Sequence, residues 1–110
     1  MIIHHLALRG AWDEAQAAGS YRVSTLGLGL DEVGFIHCSQ AEQVDGVHER
    51  FYGQVTEPVL LLTIDTDLLT SPWQLDDVPG QPLPFPHVYG PLDLDAVVSV
   101  TPYVRGSASS

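Results

Sequence analysis

Five histidines in a chain with one cysteine and no lysine bound the chemistry this sequence could perform. His4, His5, His37 and His87 fall in segments that read as strands or strand ends, and only His48 falls in a helical pattern. Alternate residues of a strand share a face, so Phe35 sides with His37, and Phe85 and Tyr89 side with His87. Each imidazole then stands beside an aromatic ring, and two such faces brought together make a pocket with polar tips on apolar walls. Imidazole suits proton transfer near neutral pH and is also the commonest metal ligand. The spacing disfavours a metal. No two histidines stand four apart on a helix or two apart on a strand, and His37 and Cys38 diverge as neighbours in extended backbone.

A second chemistry is nucleophilic, because Ile-His-Cys-Ser at 36–39 puts a thiol and a hydroxyl ahead of a helix start, where a thiolate is stabilised. The plainer reading of both is structural. Ser39 and Glu42 match a capping box, and a small cysteine at a strand end packs well in a core. The same helix start could receive an anionic group of a ligand without covalent chemistry. Arg9 and Arg22 flank the first helix and could pair with a phosphate, although solvated arginines are the commoner case. Neither a dinucleotide-binding glycine fingerprint nor a phosphate loop occurs, and Leu26 to Leu30 is only a glycine-containing loop.

The elements that must position these residues follow from periodicity. Ile2 to Leu8 reads as a strand. Ala11 to Ala18 reads as a helix ended by Gly19, with Trp12, Ala15 and Ala18 facing the core. Ser20 to Gly34 fits no period and is expected to be an ordered loop. Phe35 to Cys38 reads as a short strand, followed by a helix capped at Ser39 with Ala41, Val44, Val47 and Phe51 at core spacing and Gly53 as its end. Val59 to Ile64 is an apolar run suited to a central strand covered on both faces. The proline-rich stretch from Thr66 to Pro86 leaves room for a short strand near Trp73 to Leu75. Phe85 to Gly90 is expected to be extended, Asp93 to Ala96 to form one helical turn, and Ala96 to Tyr103 to form the last strand. Gly106 to Ser110 reads as a disordered tail.

Composition excludes several classes of function. Fourteen acidic residues stand against four arginines, a formal charge of −10, so no basic stripe for long nucleic acid can be built. The longest apolar run is far too short to span a bilayer, which argues against membrane insertion. One cysteine permits no internal disulfide, and the start of the chain lacks the pattern of a signal peptide, so a cytoplasmic location is expected. At 110 residues, one domain is the default.

Two motifs, Gly-Phe-Ile-His-Cys-Ser at 34–39 and Phe-Pro-His-Val-Tyr-Gly-Pro-Leu at 85–92, follow a histidine-bearing first strand. Together they resemble the bacterial domain of unknown function 952 family, over the chain up to Val104. The resemblance implies a single domain over residues 1–105 with an α+β fold similar to that of ADP-ribosyltransferases. In that fold two small, mainly antiparallel sheets and two short helices surround a nicotinamide-dinucleotide cleft. NAD is then the implied cofactor. His5 matches the first-strand residue that holds the ribose in that class, and Phe35 to Ser39 match its second strand. The carboxylate that polarises the ribose has no clear counterpart: Gln74 stands where an acid is sought, and Asp76 and Asp77 are expected in a turn.

The reading that follows is a His- and Tyr-lined pocket for a nucleotide-like or phosphorylated small molecule. His5, His37 and His87 are its catalytic candidates, and Tyr21, Ser24, Ser39 and Tyr89 are its ligand-binding candidates. A non-catalytic interaction module is the alternative, and an ADP-ribosyl- or phosphotransferase using NAD is a third reading. The pocket and transferase readings depend on the three imidazoles sharing one cleft that solvent can enter; in the interaction module the same histidines are core hydrogen-bonding residues.

Overall fold

The computed structural model describes residues 1–108. Ile2–Leu8 forms β1, which runs directly into α1 (Arg9–Ala18). Gly19 ends that helix in the left-handed conformation (φ 91°) and its N–H bonds to the Ala15 carbonyl, the role expected of it. Trp12 and Ala15 are buried, but Ala18 is exposed because the core lies on the other side of the last turn.

Ser20 to Gly34 is more ordered than a loop. It holds β2 (Ser20–Tyr21), β3 (Val23–Thr25), β4 (Leu28–Gly29) and α2 (Leu30–Val33). These pieces are too short to show a period, which is why the sequence conceals them. Gly34 closes α2 with a left-handed φ of 94° and turns the chain into β5 (Ile36–His37).

The next helix does not start at Ser39. Its first turn is Ala41–Gln43, and the box forms one residue later, with the Gln40 N–H donating to Gln43 Oε1 at 2.8 Å. Ser39 is drawn away by β1: the His4 N–H donates to the Ser39 carbonyl at 2.8 Å and the Ser39 N–H to the His4 carbonyl at 2.7 Å. Continuing through α3 (Val44–Val47), the helix widens into a π turn over His48–Tyr52. That extra residue shifts the phase of its faces. Tyr52, not Phe51, follows Val44 and Val47 into the core, and Phe51 is left 41% exposed.

The apolar run forms β6 (Val59–Asp65), the middle strand of an antiparallel sheet with the order β1-β6-β10. Its two faces belong to two cores. Ile3 and Ala7 of β1 join Leu62 and Ile64 in one cluster with Trp12, Tyr21, Ile36 and Val88. Leu6 and Leu61 join the other, with Val44, Val47, Tyr52 and Phe85. His4 and His5 are sent to opposite sides by the same alternation.

A second antiparallel sheet has the order β5-β8-β7, from β7 (Trp73–Asp76) and β8 (Phe85–Val88). The strand near Trp73 extends to Asp76, so this aspartate is in the sheet and not in a turn. Pro86 is tolerated in the middle strand because β5 ends beside it, and its carbonyl accepts the Cys38 N–H at 2.9 Å. β9 (Leu92–Asp93) pairs with β2, a single turn at Leu94–Ala96 follows, and β10 (Val97–Pro102) completes the first sheet. The result is an α+β fold of small antiparallel sheets and few short helices. Of the tail, Gly106 is held by its N–H donating to Asp45 at 3.1 Å, while residues 109 and 110 lie outside the described part. No helix among the described residues is long and apolar enough to cross a membrane.

Candidate functional site

His37 is the hinge of the site because of how β5 pairs. It stands opposite His87, while the hydrogen bond to β8 on this stretch comes from Cys38. His37 and His87 are therefore a non-hydrogen-bonded pair, the kind whose side chains approach most closely, and their ring centroids lie 5.5 Å apart. The backbone of His37 points away from β8 and must find other partners. Its N–H donates to Ser24 Oγ at 3.2 Å, and its carbonyl faces His5 Nδ1 at 2.7 Å.

His5 is consumed by this task. A carbonyl can only accept, so Nδ1 carries the proton and Nε2 accepts from the Tyr21 hydroxyl at 2.8 Å. Burial pushes the His5 pKa down to about 4, opposed by the bond to the His37 carbonyl, and burial pushes the Tyr21 phenol up. A neutral, doubly bonded, 2%-exposed imidazole is a strut. Beneath His37, His5, Ser24, Ser39 and Tyr52 line a small recess of about 10 Å³, the scale of a single water. His4 on the other side is buried beside Thr63, with its Nδ1 3.4 Å from Oγ1. Cys38 is fully buried at the end of β5, and burial raises its pKa, which removes the thiolate.

The outer face of the second sheet is different. Cross-strand partners share a face, so the register places His37, His87 and Gln74 in one row and Phe85 and Asp76 in the next. Phe35 stacks on His87 with centroids 3.9 Å apart, and Tyr89 packs edge-on to Phe35. Asp76 Oδ2 accepts from His87 Nδ1 at 2.8 Å and from the Tyr89 hydroxyl, and Oδ1 accepts from Gln74 Nε2 at 2.6 Å. The Tyr89 bond is the chief reason that the Asp76 carboxyl sits below its usual range, and the same bond raises the Tyr89 phenol.

At the His37 end this face opens into a groove of about 570 Å³. Phe85, Val47, Phe51, Val78 and Leu83 supply apolar walls, and Gln43, Glu42 and Arg50 supply polar ones. Gln43 and Gln40 donate to the Pro84 carbonyl at 3.0 and 2.9 Å, so the proline-rich loop is pinned to the helix as the far wall. Neither ring nitrogen of His37 has a hydrogen-bond partner among the described residues, and neither is sealed. Burial, then the neighbouring His5 and His87, push its pKa down to about 4, so it meets the groove as a neutral imidazole. Arg22 pairs with Asp31 and Arg105 with Glu49, whereas Arg9 and Arg50 have no ion-pair partner among the described residues; of these two only Arg50 lines the groove, and it lies over the Phe51 ring.

The seven residues singled out by sequence thus divide. His5, Tyr21, Ser24 and Ser39 are buried supports, and His37, His87 and Tyr89 form the outer face. Only His37 of the three histidines lines the groove. Strand alternation placed Asp76 with His87 once β7 was long enough to include it. Arg50 and Phe51 carried no sequence signal, since a helix of ordinary pitch sends Phe51 inward. Among the described residues no cluster of three or more His, Cys, Asp or Glu could hold a metal ion.

A family model described as a protein of unknown function, DUF952, matches residues 6–100. The chain belongs to the DUF952 family. The crystal structure of protein CC0527 from Caulobacter crescentus superposes with a TM-score of 0.81 at 24% identity, covering 100% of both chains. The solution NMR structure of CC0527 gives 0.70 at 28% identity, over 91% of this chain and 82% of that one. These likenesses show the fold of this chain. No curated protein matches this chain.

Proposed function

We propose that this DUF952 domain binds a nucleotide-like or phosphorylated small molecule in the groove beside His37. The observation that carries the reading is one concavity holding an unpartnered imidazole and an arginine without a carboxylate partner, in a chain of net charge −10. The volume of about 570 Å³ suits a small ligand, and Phe85 and Phe51 offer apolar area to a planar group. Arg50 would take the anionic group and His37 would donate to or accept from the ligand at the floor. The resemblance to ADP-ribosyltransferases makes NAD and ADP-ribose the first probes.

The test is thermal unfolding of the full chain with NAD, ADP-ribose, AMP or inorganic phosphate. A ligand at 100 times its Kd stabilises by about 2.7 kcal/mol, on the order of 10 °C for a domain of this size. Arg50→Ala should abolish the shift for phosphorylated ligands. No shift with any of the four at millimolar concentration overturns the reading and favours an interaction module.

A further inference from the structure

Gly46 is a glycine that the fold does not need. It lies in α3 with helical turns on both sides, where glycine is among the poorest helix formers. Its φ is not in the left-handed region, and a Cβ built on it would meet no atom within 4 Å, so neither backbone nor packing requires it. It does line the groove. Two adjacent rows of the helix at four-residue spacing line it together, Glu42, Gly46 and Arg50 in one and Gln43, Val47 and Phe51 in the other. The first row therefore reads acid, gap, base. At about 1.5 Å per residue its two charges are rooted about 12 Å apart. They form no ion pair with each other or with another side chain among the described residues. In the second row Gln43 is occupied by the Leu83 and Pro84 carbonyls, which leaves Val47 and Phe51 as an apolar strip beside the gap.

We propose, on the basis of the binding reading above, that Gly46 seats the ligand and that its two charged neighbours fix the ligand's class: a nucleoside monophosphate whose base bears an amino group. The phosphate goes to Arg50, whose guanidinium lies 5.2 Å from the Phe51 ring centroid. Glu42 accepts from the amine, and it repels a phosphate at its own end, so the molecule lies in one direction only. Between them the body of the ligand rests on the bare backbone of Gly46, an approach that any side chain at this position would obstruct. The helix thus gives up stability at one position for access to the groove.

The test titrates the full chain with AMP and with purine riboside 5′-monophosphate, which lacks the amino group, and measures the melting points of the free proteins. Gly46→Ala should raise the melting point by about 4–8 °C and still weaken AMP. Gly46→Leu should weaken AMP by about 10-fold or more. In the wild type, loss of the amino group should weaken binding by about 10-fold, and in Glu42→Ala the two nucleotides should bind alike. A lower melting point of Gly46→Ala, or AMP bound as tightly by both Gly46 variants as by the wild type, overturns the seat. Equal wild-type affinity for the two nucleotides overturns the class. If AMP does not bind while NAD, ADP-ribose or inorganic phosphate still raises the melting point, this inference falls and the binding reading stands. If none of the four raises it, both fall.

Discussion

Two regions meet at His37, and they use the same residue types to opposite ends. Beneath it, His5, Tyr21, Ser24 and Tyr52 form a closed set in which each polar atom has a partner, such as the Tyr52 hydroxyl donating to the Leu6 carbonyl at 3.3 Å. Above it, the ring nitrogens of His37, Nε2 of His87 and the guanidinium of Arg50 are left without hydrogen-bond or ion-pair partners among the described residues. A histidine's identity does not reveal its role, but the number of its nitrogens already engaged does. His5 has both engaged, His87 one and His37 none. Substitutions beneath His37 should therefore cost stability, and those above it should cost binding.

The sharpest contrast lies between neighbours on the π turn. Tyr52→Ala removes a buried ring and should destabilise by about 3–5 kcal/mol, whereas Phe51→Ala should stay within about 0.5 kcal/mol of wild type while weakening ligand binding. Urea unfolding of both variants checks this, and equal losses would mean that the phase shift is wrong.

Acid should act next most strongly, and through the lower region. The His5 pKa is depressed to about 4, so the unfolded chain binds the proton first. Stability is intact above the unfolded value near pH 6.5 and is lost as pH falls toward 4, by about 3 kcal/mol for this residue. His37 adds in the same direction. Urea midpoints between pH 7 and pH 4 should fall steeply in wild type and less steeply in His5→Gln.

Tyr21→Phe should cost about 1–2 kcal/mol, because Nε2 of His5 is then buried without a donor. Smallest of all should be His37→Ala, at about 1 kcal/mol or less. The lower region grips the His37 backbone, and its side chain has no hydrogen-bond partner among the described residues. A loss as large as that of His5→Ala would erase the division between the two regions.

Much of the frame was legible because long segments carry their own period. β1 and β6 were expected from runs of apolar and β-branched residues, and both formed with ends within a residue of expectation. Strand alternation put Phe35 on the face of His37 and Phe85 on the face of His87, but the rings meet crosswise, Phe35 on His87 and Phe85 against His37, because the register of β5 and β8 sets those neighbours. The short strands between Ser20 and Gly34 were hidden because two or three residues cannot display a repeat. The cap at Ser39 was misplaced because a local motif competed with a strand edge. Two backbone bonds to His4 took Ser39, and Gln40 with Gln43 formed the box.

By itself the sequence determined which residues could do chemistry and which strand face each would occupy, because alternation is a property of the extended chain. It also determined charge, and with it the scarcity of cations that makes an arginine in the groove conspicuous. Tertiary structure alone decided which imidazoles are left with free nitrogens, since those partners come from residues distant along the chain, as Tyr21 does for His5 and Asp76 for His87. It alone decided too that Phe51 and Arg50 face a groove, because the π turn changes the helical phase only where packing of Tyr52 against the core makes that favourable.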